Sequence, residues 1–149
     1  MKRHFYILFC LLLVFPVFLS AQTAAIIEQL LETEALSYEQ ASQFVLQAAD
    51  MPANGPAEAF SYAAERNWLP GRVSGGDEAI LQDVSLLIMQ SFGLKGGLFY
   101  SIAKSPHYAY RELVYQQVIQ GRADPQMAVS GEYLLFMVGR VLGITEDEQ

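Results

Sequence analysis

Few residues of this chain have the type and spacing that chemistry requires. Carboxylates are paired at Asp77-Glu78 and again at Glu146-Asp147-Glu148, an arrangement that glycoside hydrolysis uses when both groups face one cleft about 10 Å or less across. Asp77-Glu78 falls at an expected helix start, where the macrodipole stabilises negative charge, so a capping role accounts for it without catalysis. The second set belongs to an acidic tail, 144–149. The histidines are His4 and His107 and the one cysteine is Cys10, so neither a metal site nor a Ser-His-Asp arrangement can be assembled. Gly75-Gly76 and Gly96-Gly97 lack the Gly-Lys-Ser/Thr run of a phosphate loop and read as turns. The expectation is a non-enzyme with no catalytic residue, no metal and no cofactor.

Two groups of residues keep binding chemistry. Arg72 and Arg122 each follow a turn glycine, Gly71 and Gly121, at a spacing of fifty residues. A guanidinium at such a loop position either forks onto a carboxylate of a neighbouring unit or reaches an anionic polymer. Tyr100, Tyr108, Tyr110 and Tyr115, with Trp68, either stack on sugar rings or serve as core residues with a wet hydroxyl. Arg72, Arg122, Tyr100 and Tyr108 are the candidate ligand-binding residues.

The chain that must position them has 149 residues, nine Lys+Arg against sixteen Asp+Glu, a net charge of −7, 52% hydrophobic and 17% charged side chains. That is one small domain, too apolar for a disordered chain and too acidic to wrap nucleic acid. Residues 1–21 read as a secretory signal peptide: Lys2, Arg3 and His4, then an apolar run from Phe5 to Leu19, then Ser20-Ala21. The run contains Pro16 and is shorter than the roughly 20 residues of a spanning helix, which favours cleavage after Ala21 over an uncleaved anchor. Cys10 lies inside the apolar run, not at its end, so it is not a lipoprotein cysteine. The mature chain would then lack cysteine and carry a net charge near −9. A hydrophobic core must hold it without disulfides, which suits the periplasm or envelope of a bacterium.

Beyond residue 21 the apolar spacing is helical throughout. A short helix covers Ile26 to Leu31. A second follows the capping box Ser37-Tyr38-Glu39-Gln40, and a third runs from about Ala57 to Asn67. A fourth starts near Asp77 and stops at Gly93. A short apolar helix, Leu98 to Lys104, sits in an insertion and another helix runs from about His107 to Val118. The last is capped by Ser130 and ends at Gly143. Shifted by fifty residues, Ala59 meets Ala109, Gly71 meets Gly121, Arg72 meets Arg122 and Gly93 meets Gly143. The stripe Val84, Leu87, Ile88, Phe92 falls on Leu134, Met137, Val138, Leu142. A fainter third copy sets Leu36-Ser37 on Val129-Ser130 and Phe44-Val45 on Met137-Val138.

The second unit, Ala109-Tyr110-Arg111-Glu112-Leu113 through Gly121, Asp124-Pro125, Ser130-Gly131-Glu132 and Arg140-Val141-Leu142-Gly143, resembles the S-layer homology module. The resemblance implies three helix pairs in a pseudo-threefold cluster that attaches envelope proteins to peptidoglycan or another wall polymer. The arginine of that family's "T-R-x-E" cap is replaced by Tyr38, Leu81 and Gly131 in the three units. The fold expected is all-α, with two well-marked helix-loop-helix repeats and a fainter third packed in one compact bundle over residues 22–143. The function expected is a non-catalytic envelope module that binds a wall component or a partner protein, with Leu98, Phe99 and Ile102 available to dock a partner helix. Alternatives are a membrane-anchored interaction subunit with an uncleaved N-terminal segment and a small periplasmic hydrolase using carboxylates.

Overall fold

The computed structural model describes residues 27–147, and the expected signal segment 1–21 lies outside them. The chain forms two units, residues 1–32 and 33–149. The first contributes helix α1, 27–31, with the Glu32 N–H donating to the Glu28 carbonyl at 3.2 Å. The second is all-helical and holds α2 (Tyr38–Ala48), α3 (Pro56–Glu65), α4 (Leu81–Ser91), α5 (Leu98–Ile102), α6 (Pro106–Tyr115) and α7 (Gly131–Asp147). Among the described residues there are seven helices and no strand, and no helix is long and apolar enough to cross a membrane.

The helix starts are written locally. Ser37 closes the expected capping box, its Oγ accepting from the Gln40 N–H at 3.2 Å while its own N–H donates to Gln40 Oε1 at 3.0 Å. Ser105 and Ser130 cap α6 and α7 by accepting from the Tyr108 and Tyr133 N–H groups, and Pro56 and Pro106 occupy first helical positions, where no N–H is needed. Ile80, which precedes α4, has no capping oxygen.

Its place is taken by tertiary hydrogen bonds. The Leu36 N–H donates to the Val129 carbonyl at 2.9 Å, the Val129 N–H to Ala79 at 2.9 Å and the Ala79 N–H to Leu36 at 2.8 Å, a closed ring of three backbone bonds. One residue into each following helix, the Tyr38 N–H donates to Asp77, the Leu81 N–H to Met127 and the Gly131 N–H to Thr33, at 3.0, 2.9 and 2.9 Å. Leu36, Ala79 and Val129 are fully buried, so each of these polar groups depends on the others for its partner.

The main packed pairs are α2 against α3 and α4 against α6, with α2 also meeting α4 and α7. Helix α4 of the first expected unit thus packs on α6 of the second, and neither α3 with α4 nor α6 with α7 is among these main pairs. The long loops 66–80 and 116–130 lead through the ring before the next helix begins, so the second helix of each expected pair packs mainly on a helix outside that pair. The core they enclose includes Val45, Leu46, Ala59, Ala63, Val84, Leu87, Ile88, Leu113, Leu134, Met137 and Val138.

Two boundaries also depart from the sequence reading. Helix α4 begins at Leu81, not near Asp77, because Asp77 closes a turn: its carboxylate accepts from the Ser74 N–H at 2.7 Å and its N–H donates to the Ser74 carbonyl at 3.0 Å. Helix α7 runs through Gly143 to Asp147, with the Thr145 hydroxyl donating to the Leu142 carbonyl at 2.9 Å. Gly93 has the expected left-handed backbone (φ +61°), as has Gly121 (φ +75°), whereas Gly71 does not. The left-handed residues that close α3 and α6 are Asn67 (φ 57°) and Gln117 (φ 60°).

Candidate functional site

The ring brings the first turns of α2 and α4 together, and their side chains form the most strongly perturbed cluster among the described residues. Asp83 is completely buried. Its Oδ2 accepts from the Tyr38 hydroxyl at 2.7 Å and lies 3.5 Å from Arg72 Nη2, while its Oδ1 has no hydrogen-bond partner. Burial pushes the Asp83 carboxyl above its ordinary range, and the Tyr38 hydrogen bond and the Arg72 charge offset only part of that. Tyr38 is pushed up as well, first by burial and then by its bond to the neighbouring carboxylate. Arg72 reaches in from the loop 66–80 with 64% of its side chain exposed, so this guanidinium caps a buried carboxylate from the solvent side.

Arg122 occupies the loop before α7 and is exposed, with no ion pair among the described residues. The backbone beside it is held by the Tyr110 hydroxyl, which donates to the Ala123 carbonyl at 2.6 Å. The Tyr133 hydroxyl is buried without a hydrogen-bond partner among the described residues, and burial, with a smaller effect of Tyr110, raises this phenol.

The candidate tyrosines stand elsewhere. Tyr100 of α5 is 3% exposed and its hydroxyl accepts from Gln90 Nε2 at 2.7 Å. Burial lifts its phenol to about 12. Its ring is thus packed, and its edge forms part of a cleft of about 490 Å³ lined by Gln90, Lys95, Gly96, Ser101 and Lys104. Tyr108 is half-buried, stacked on Phe99 with ring centroids 5.8 Å apart and met edge-on by His107 at 5.4 Å. No hydrogen bond, ion pair or ring contact among the described residues joins any two of Arg72, Arg122, Tyr100 and Tyr108.

The chain matches no known family model, no curated protein and no solved structure. What the site can do must therefore be read from its own chemistry. Asp77 is spent on its turn, and no carboxylate lines the cleft. Among the described residues no cluster of three His, Cys, Asp or Glu side chains stands close enough to hold a metal ion. Asp83 was not among the residues singled out from the sequence. The available signal was its isolation, since it is the one charge in the otherwise uncharged stretch 79–94.

Proposed function

We propose that this chain is a non-catalytic exported module of the bacterial cell envelope that binds an anionic wall polymer through its inter-helix loops. The observation that carries this reading is the closed ring of Leu36, Ala79 and Val129, because a pseudo-threefold set of S-layer-homology-like modules requires three chain segments in equivalent positions. The fifty-residue spacing is supported by matching turns: the Trp68 N–H donates to Ala63 at 3.0 Å and the Val118 N–H to Leu113 at 2.9 Å, each just after a left-handed residue, Asn67 or Gln117.

The positions of the family's cap arginine are occupied by Tyr38, Leu81 and Gly131, all buried, so polymer contact falls instead to the loop arginines. Of these Arg72 is engaged by Asp83, whereas Arg122 stands exposed without a carboxylate partner among the described residues, and residue 133, fifty beyond Asp83, is a tyrosine. Arg122 is therefore the principal contact, and Arg72 the lesser one.

Sedimentation with purified peptidoglycan sacculi tests this. The protein should pellet with the sacculi, Arg122→Ala should lower the bound fraction and Arg72→Ala should lower it less. A protein that stays in the supernatant would overturn the reading, and equal pelleting of both variants and the parent would remove the arginines from it.

A further inference from the structure

Helix α5 exposes what a folded acidic domain ordinarily covers. Leu98, Phe99 and Ile102 are 72%, 65% and 77% exposed, and their one-residue and four-residue spacings set them on one side of a single helical turn. The opposite side is anchored: Tyr100 is buried, and its hydroxyl accepts from Gln90 Nε2 of α4 at 2.7 Å. The apolar side chains are therefore presented by a fixed turn.

The charge around that turn runs against the rest of the chain. From Val84 to Arg111 there is no Asp or Glu, while Lys95, Lys104 and Arg111 are positive, in a protein of net charge −7. Lys95 and Lys104, the only lysines among the described residues, bracket α5 and both line the cleft beside it. Neither has a carboxylate partner among the described residues. The first acidic residue after Asp83 is Glu112, which is turned against the Gly97 backbone, where a Cβ would lie 3.0 Å from its Oε1.

We propose that α5 with Lys95 and Lys104 is a docking surface for an anionic phospholipid bilayer, with Leu98, Phe99 and Ile102 entering the acyl boundary and the two ammonium groups meeting lipid phosphates. The charge of the segment selects this occupant, because a bilayer supplies hydrocarbon and a dense layer of negative charge at the same surface. This is a second attachment, independent of the wall-binding reading and of residues 1–21.

A tryptophan placed on the turn reports this contact at the turn itself. In the full chain, Phe99→Trp is mixed with vesicles of phosphatidylcholine alone, with vesicles that also contain phosphatidylglycerol, and with free glycerol phosphate; the parent chain, with Trp68 alone, is the reference. The expected result is a blue-shifted emission, quenched by lipids brominated in their acyl chains, on the mixed vesicles only. Adding Lys95→Gln and Lys104→Gln should weaken the binding more than tenfold, since each lysine near an anionic surface is worth about fivefold. Leu98→Trp repeats the measurement from the neighbouring position, should Phe99→Trp disturb the stack on Tyr108. The proposal is overturned if both tryptophans remain unquenched, if zwitterionic vesicles serve equally well, or if the shift arises without lipid and grows with protein concentration, which would identify a second copy of this chain as the occupant.

Discussion

The Tyr38 hydroxyl donates to Asp83 Oδ2 at 2.7 Å and so ties the first turn of α2 to the first turn of α4. This bond gives the one buried carboxylate of the described core its only short partner. Removing the hydroxyl leaves Asp83 with Arg72 at 3.5 Å and nothing else. Tyr38→Phe should therefore cost about 1–3 kcal/mol, the penalty of orphaning a buried charged acceptor, read as a lower midpoint in urea. Arg72→Ala, which removes a largely exposed partner, should cost less than about 1 kcal/mol. Equal losses would mean that the guanidinium matters as much as the phenol.

Asp83 also gives stability a pH dependence of definite sign. Its carboxyl titrates higher in the folded than in the unfolded chain, so the folded state holds the proton more tightly. The contribution is fully present below the unfolded value of about 3.9 and is lost as pH rises through the folded value. Asp83→Asn should therefore gain stability relative to the parent as pH is raised from 4 towards neutrality, measured as the difference in urea midpoints. A difference that is flat with pH would contradict the assignment.

At the alkaline end Tyr100 acts in the same direction. Its phenol is lifted to about 12 against an ordinary value of 10, so its contribution is complete below pH 10 and disappears as pH rises towards 12. Tyr38 and Tyr133 are raised too. Absorbance titration should show a late-ionising group of phenols that becomes normal when the protein is unfolded in urea, and Tyr100→Phe should remove one of them.

The two turn glycines should respond differently to a side chain. Neither has an atom within 4 Å of an added Cβ, but Gly121 has φ +75° and Gly71 is outside the left-handed region. Gly121→Ala should cost about 1 kcal/mol of backbone strain, and Gly71→Ala should be neutral or slightly stabilising. Conversely Gln117→Gly, at φ 60°, should raise the melting temperature. Differential scanning calorimetry of the three variants checks all three signs.

Truncation after Gly93 removes both α6, on which α4 packs, and Val129, which closes the backbone ring. The Leu36 and Leu81 N–H groups lose their acceptors with it. The shortened chain should show no cooperative unfolding transition by circular dichroism. A sharp transition would mean that the first half folds alone.

The sequence by itself determined the helices. Ser37, Ser105 and Ser130 at their starts, prolines at 56 and 106, Gly93 at an end and apolar side chains at helical spacing are local instructions, satisfied within a few residues of chain. Only the tertiary structure decided how those helices pair. The choice of α6 over α3 as the neighbour of α4 depends on where a long loop returns the chain, and apolar stripes carry no label for their partner. The same holds for the ring of Leu36, Ala79 and Val129, because its donors and acceptors are backbone groups that every residue but proline possesses. Asp83 was hidden for a related reason. A carboxylate in a first helical turn reads as a solvated helix-start charge until the fold lays Tyr38 over it and takes the water away.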